Sequence, residues 1–161
     1  MQFKDRSALS TSLMHLLHRA GQSADELFAA EMGDSDLTPR QYAVLTVLAE
    51  HDTASQTEIV DLTGIDRSTL ADIVKRLVQR GLLARRRSKL DARAYAVRLT
   101  PGGQAALKLA DPAAERAGER MLRQIPPSRR TDLYEALNLL VEPTRPDTSH
   151  LAAPAAKPRR R

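Results

Sequence analysis

The sequence predicts a mainly α-helical chain carrying one small β-hairpin. Three observations support this. Apolar residues recur at three- and four-residue steps through most of the 161 residues. Alternation of apolar and polar residues is confined to Leu82–Arg86 and Tyr95–Leu99. Residues 55 to 81 hold two short helical segments, each opened by a capping residue and closed at a glycine.

A long helix is expected over residues 8–31, with Leu9, Leu13, Leu16, Leu17, Ala20, Ala24, Leu27 and Phe28 on one face. Thr38-Pro39-Arg40-Gln41 starts the second, with Thr as N-cap, Pro at the first helical position and Gln two residues later. Val44, Leu45 and Leu48 form its apolar side. Ser55-Gln56-Thr57-Glu58 is a capping box for the third, which buries Ile59 and Leu62 and ends at Gly64. Asp66 is the N-cap of the fourth, whose core side is Leu70, Ile73, Val74 and Leu77 and which Gly81 stops. After the hairpin, Leu107, Ala110, Ala114, Ala117, Met121 and Ile125 predict a helix from Pro101 to about Ile125. Pro112 removes one backbone bond and is expected to kink or break it near Lys108 to Asp111. Pro126-Pro127 ends it, and Ser128 is expected to cap a last helix with Leu133, Leu137, Leu140 and Val141 on one face.

Charge points to nucleic acid through its distribution. The net +5 is mostly the tail, because residues 143–161 hold five Lys/Arg and one Asp. The rest is near neutral, yet Lys75 to Arg98 carries nine Lys/Arg against one Asp. A helix pair followed by a cationic hairpin suits a winged helix-turn-helix gripping double-stranded DNA in adjacent grooves. Arg67, Ser68, Thr69 and Asp72 on the open face of the second helix of the pair are the expected base readers. Lys75, Arg76, Arg85, Arg86 and Arg87 are expected to hold phosphates. Ser88, Lys89, Asp91 and Arg93 form the wing tip, suited to a narrow minor groove. Asp91 carries the wrong charge for a phosphate contact and is expected to orient a neighbouring arginine, Arg93 or Arg86.

The wing has the form Asp-x-Arg-x5-Leu-Thr at Asp91, Arg93, Leu99 and Thr100. Leu37-Thr38-Pro39-Arg40-Gln41-Tyr42 precedes it and Thr100-Pro101-x-Gly103 follows. In that order and spacing the chain resembles the MarR family of bacterial transcriptional regulators, from the first helix to about Val141. The resemblance implies a two-fold dimer, with the first, fifth and sixth helices as the dimerisation lobe. The apolar terminal helices also favour pairing with a second copy, so that two recognition helices read a palindrome. The expected division is residues 1–35 and 101–142 for the homodimer lobe, 36–100 for DNA binding, and 143–161 as a disordered basic tail.

A small-molecule effector is the third expected partner. Thr11, His15, His18 and Gln22 make a polar stripe on the first helix, with Arg19 beside it. The family's inducers are often phenolic or aromatic carboxylates, and some relatives use an aromatic acyl-CoA. By that analogy His15, Arg19 and Tyr42 are the candidate effector residues, Arg19 for the carboxylate.

Other classes find little support. There is no cysteine, phosphate-binding glycine loop, Gly-x-Ser-x-Gly or His-Glu-x-x-His. His15 and His18 lack a third metal ligand, so no enzyme, metal or cofactor is expected. With no membrane-length apolar run and no signal-peptide pattern, a cytoplasmic location is the default. The competing readings are an architectural DNA-binding protein without an effector, and a protein-interaction winged helix.

Overall fold

A computed structural model of the chain describes residues 8–33, 35–87 and 95–142. These fall into two compact units, divided between Arg123 and Gln124. Among the described residues there are six α-helices and a three-stranded antiparallel sheet, the fold class expected.

In the first unit, α1 (Leu13–Met32) follows a single 3-10 turn at Ala8–Thr11. The expectation of one unbroken helix over 8–31 is corrected here. Ser12 is extended and its hydroxyl accepts the His15 amide, so it starts a new helix. α2 (Pro39–Glu50) and α3 (Gln56–Thr63) open on the two capping boxes as predicted, at Thr38/Gln41 and Ser55/Glu58. Gly64 ends α3 in the left-handed region at φ 67°. α4 (Arg67–Gln79) starts at Asp66. The hairpin is β2 (Leu83–Arg87) and β3 (Tyr95–Leu99), paired from Leu83↔Leu99 to Arg87↔Tyr95. The sequence reading missed β1 (Ala54–Ser55), which pairs with Val97 and Ala96 on the other edge of β3. Two residues are too few for a periodic signal.

The core beneath these elements is aliphatic. Val44, Leu45, Ile59, Leu70, Val74, Leu77 and Val97 are fully buried. Leu62, expected inside, is exposed. α5 (Pro101–Leu122) runs through Pro112 as one helix, so the expected break is corrected. Ala110, Ala113 and Ala117 bury its inner side, while Lys108 and Pro112 are exposed. The carbonyl that Pro112 leaves without a partner can therefore bond water. Two arginines of α5 clamp α1: Arg116 and Arg120 meet the two Glu31 oxygens at 2.7 and 2.8 Å. Those bonds hold the Glu31 carboxyl below the usual carboxylate range.

One junction joins α4, the hairpin and α5. The Gly81 amide bonds the Val78 carbonyl and the Leu82 amide bonds Leu77, a paired closure that needs Gly81 at φ 72°. Thr100 then grips the same turn. Its amide donates to the Leu82 carbonyl at 3.1 Å, and its hydroxyl lies 2.6 Å from the Gly81 carbonyl. The same hydroxyl oxygen caps α5 by accepting the Gly103 amide at 3.0 Å. Gly103 lies so close that a Cβ there would sit 2.1 Å from the Leu82 carbonyl oxygen.

In the second unit, a 3-10 turn at Pro127–Arg129 leads into α6 (Arg130–Val141). The expected Ser128 cap is corrected: Ser128 lies inside the turn, and the N-cap is Arg129, with no side-chain cap bond. The Arg130 side chain instead donates to the Ile125 carbonyl at 3.2 Å.

The junction yields a direct test. Gly103→Ala should lower unfolding stability by roughly 1–3 kcal/mol or more, because backbone must move to admit the methyl. A urea midpoint equal to that of the parent protein would show that the junction is not as close as described.

Candidate nucleic-acid interface

α4 separates its residues cleanly by face. Leu70, Ile73, Val74 and Leu77 are buried, while Arg67, Ser68, Ala71, Asp72, Lys75 and Arg76 form one exposed stripe. At 1.5 Å per residue the helix is about 20 Å long, a length that a major groove accepts. Thr69 is half-buried at the edge of the stripe. Ala71 was not singled out from sequence, although its methyl stands between the polar side chains and is of the type that meets a thymine methyl.

Several polar groups on this stripe are already engaged. The Ser68 hydroxyl donates to Asp66 Oδ1 at 2.6 Å, and the Thr69 amide donates to the same oxygen at 2.9 Å. These bonds, Ser68 first, hold the Asp66 carboxyl far below the usual carboxylate range, so it is ionised at any ordinary pH. Arg76 Nε pairs with Asp72 at 2.9 Å across one helical turn. That bond uses the Arg76 Nε and commits one Asp72 oxygen to the helix itself.

The far end of α4 is also tied down. Arg80, which the sequence reading passed over, pairs with Asp36 and reaches Gln41 Oε1 at 3.4 Å. Gln41 is the buried member of the α2 capping box, so the end of α4 is fixed to the start of α2. Nothing in sequence spacing points to a contact between residues 44 apart. Arg40 is a further cation beside the helix pair. It lines a shallow depression with Thr63, Gly64, Ile65 and Asp66, at the turn leading into α4.

Strand register sorts the hairpin arginines. Arg85 is opposite Val97 and Arg86 opposite Ala96, so the two project to opposite sides of the sheet. Arg87 lies opposite Tyr95 in the backbone ladder. Ser88, Lys89, Asp91 and Arg93 lie outside the described residues, and with them the Asp-x-Arg part of the motif; its Leu99 and Thr100 end β3 and cap α5. Arg86 and Arg98 share a side and line a cleft of about 530 Å³ with Leu48, Gln104, Lys108 and Asp111.

The three expected effector residues do not converge within one chain. Tyr42 meets α1 at Phe28, ring centroids 5.6 Å apart. Arg19 is nine residues earlier, roughly 13 Å along the axis, and exposed; His15 is a further turn away and half-buried. The Tyr42 hydroxyl donates instead to Asp111 Oδ1 at 3.1 Å, at the wall of the cleft. Burial pushes the Tyr42 phenol above the usual tyrosine range, and the bond to Asp111 acts in the same direction.

Comparison with known proteins identifies the family and the fold. A model of the MarR family matches residues 35–94, from the approach to α2 into the wing. The HTH-type transcriptional repressor NicR of Pseudomonas putida is 30% identical over 128 residues, 80% of this chain and 81% of NicR. This chain belongs to the MarR family. Its fold matches the solved structure of BpsR from Bordetella bronchiseptica, whose DNA binding is regulated by 6-hydroxynicotinic acid. The TM-score is 0.75 and the identity 32%, over 81% of this chain and 98% of BpsR. The repressor CouR, solved on a 23-mer DNA duplex, matches with TM-score 0.77 and 30% identity over 88% of this chain and 100% of CouR. The MarR-family protein described here is thus a DNA-binding transcriptional regulator, not an enzyme. No helix among its described residues is long and apolar enough to cross a membrane.

The Tyr42–Asp111 bond links α2 to α5 across 69 residues of sequence. Tyr42→Phe should cost about 1 kcal/mol of unfolding stability by denaturant titration. No change would mean that water replaces the bond without loss.

Proposed function

We propose that this MarR-family regulator is a repressor that binds a palindromic operator as a homodimer and is released by a small anionic aromatic effector. The observation that carries the effector reading is the cleft at the base of the wing. Leu48, Leu99 and Leu107 offer apolar wall for a ring, and Arg86, Arg98 and Lys108 offer cations for a carboxylate, three against the carboxylates of Asp52 and Asp111. The cleft touches both wing strands and α5, so a ligand there contacts the DNA-binding hairpin and the helix that continues from it. Its volume suits a one-ring acid; an acyl-CoA would leave most of its length outside. We therefore assign the carboxylate to these three cations in preference to Arg19 and His15, with Tyr42 acting through Asp111. Regulation of BpsR by 6-hydroxynicotinic acid supports the same chemistry by analogy.

The dimer reading rests on exposed apolar surface. In α1, Leu13, Met14, Leu16 and Leu17 are exposed, Met14 at 75%. In α6, Leu137, Leu139, Leu140 and Val141 are exposed as well. Helices that leave such residues in water need a partner surface, and a second copy supplies it. In this division residues 36–100 bind DNA and residues 1–35 and 101–142 associate, with 143–161 as a basic tail. The wing-tip residues Ser88, Lys89, Asp91 and Arg93 complete the proposed DNA surface with the α4 stripe.

Two measurements test this. Lys75→Ala should weaken binding to operator and random DNA alike, and make the salt slope shallower by about one unit, as loss of one phosphate contact requires. Loss of operator affinity alone would assign Lys75 to base reading. Lys108→Ala and Arg98→Ala should keep operator binding but lose release by 6-hydroxynicotinate or a related acid, in a fluorescence-anisotropy titration. A differential affinity of about 3 kcal/mol is needed for a hundredfold release. If both variants release DNA as the parent does, the cleft is not the effector site. An operator preference under roughly a thousandfold would favour the architectural reading.

A further inference from the structure

The first turn of α4 carries an asymmetry with consequences for base choice. A serine hydroxyl has one proton to donate and two lone pairs to accept with. In this chain that proton is directed at Asp66 Oδ1, 2.6 Å away. Asp66 is an ionised acceptor, and O–H···O⁻ bonds of this length are among the stronger hydrogen bonds of proteins. Asp66 cannot turn away freely, because the same oxygen also accepts the Thr69 amide and caps the helix. Ser68 is exposed at the second position of the helix, in the turn that enters the groove in helix-turn-helix proteins. Whatever it touches there meets only its lone pairs.

The major groove offers donors and acceptors by base. Adenine presents the N6 amino group and cytosine the N4 amino group. Guanine presents only O6 and N7 there, and thymine only O4 and its methyl. We infer that Ser68 is locked as a hydrogen-bond acceptor by Asp66 and selects a base with an exocyclic amino group, adenine or cytosine, against guanine or thymine. The carboxylate next to it acts in the same sense, since it repels the electronegative O6, N7 and O4 edges. A free serine would lack this discrimination, because its hydroxyl rotates to suit either partner. The inference rests on the reading that α4 presents Ser68 to a base, and the two can be tested apart.

The experiment uses the full-length protein. Binding-site selection with the parent and Ser68→Ala first identifies the operator position whose preference the variant loses. At that base pair, synthetic operators then carry either a base without its exocyclic amino group or a 7-deazapurine without N7. The parent should lose about tenfold in affinity on the deaminated base and tolerate the 7-deazapurine, whereas Ser68→Ala should be indifferent to both. Asp66→Asn, which keeps a capping oxygen but no charge, should show a smaller loss on the deaminated base. If the parent instead loses affinity on the 7-deazapurine and tolerates the deaminated base, Ser68 donates and the inference is overturned, with base contact intact. If Ser68→Ala selects the parent's consensus unchanged, Ser68 touches no base and the reading beneath the inference fails.

Discussion

The Leu82 carbonyl is the point on which the first unit is assembled. The end of α4, the first residue of the wing and the start of α5 meet within a few bonds of it. Gly81 turns the chain, Thr100 binds the turn, and Gly103 lets α5 approach to a distance no side chain permits. The hydrogen bonds here are backbone or hydroxyl bonds at a tight turn. Such bonds fix direction more closely than long ion pairs do. The angle between the recognition helix and the hairpin follows from this junction, and so does the side of the hairpin that Arg86 and Arg98 occupy.

Ion pairs add orientation around that frame. Arg76–Asp72 is exposed on both sides, whereas Arg80–Asp36 and the Glu31 clamp each have one partner mostly covered; pairs this open to water contribute little to stability. Their effect is to hold long side chains in chosen rotamers. On α4 the pair commits one Asp72 oxygen to Arg76, while Lys75 and Arg76 themselves stay exposed. The stripe's one acidic residue, Asp72, therefore meets a polyanion with one of its two oxygens already paired.

What could be read from sequence was what is decided locally. The Thr38 and Ser55 capping boxes, the Asp66 cap and the glycine stops at Gly64 and Gly81 depend on residues within four or five positions of one another. The wing strands were placed to within a residue because alternation is also local. Ser12 was overlooked since the apolar periodicity continues through it. The break expected at Pro112 does not occur, because the cost of a proline depends on whether the orphaned carbonyl can reach water, which spacing does not tell. Ser128 misled because the double proline before it favoured a tight 3-10 turn. The cleft was illegible for a different reason. Its walls come from α2, the wing and α5, and the partnership of Tyr42 with Asp111 exists only in three dimensions.

The length of α5 gives the Leu82 junction a mechanical meaning. The helix has 22 residues, roughly 33 Å of rigid rod, anchored at one end by Thr100 and Gly103. A pivot of about 5° at the Thr100 end sweeps the far end, together with the α1 residue clamped to it, by roughly 3 Å, comparable to the helix shifts that accompany switching in regulators. Read the other way, the rod works as a reduction gear. A large displacement at its tip becomes a fine angular adjustment at its base, beside the end of α4 and the first strand of the hairpin.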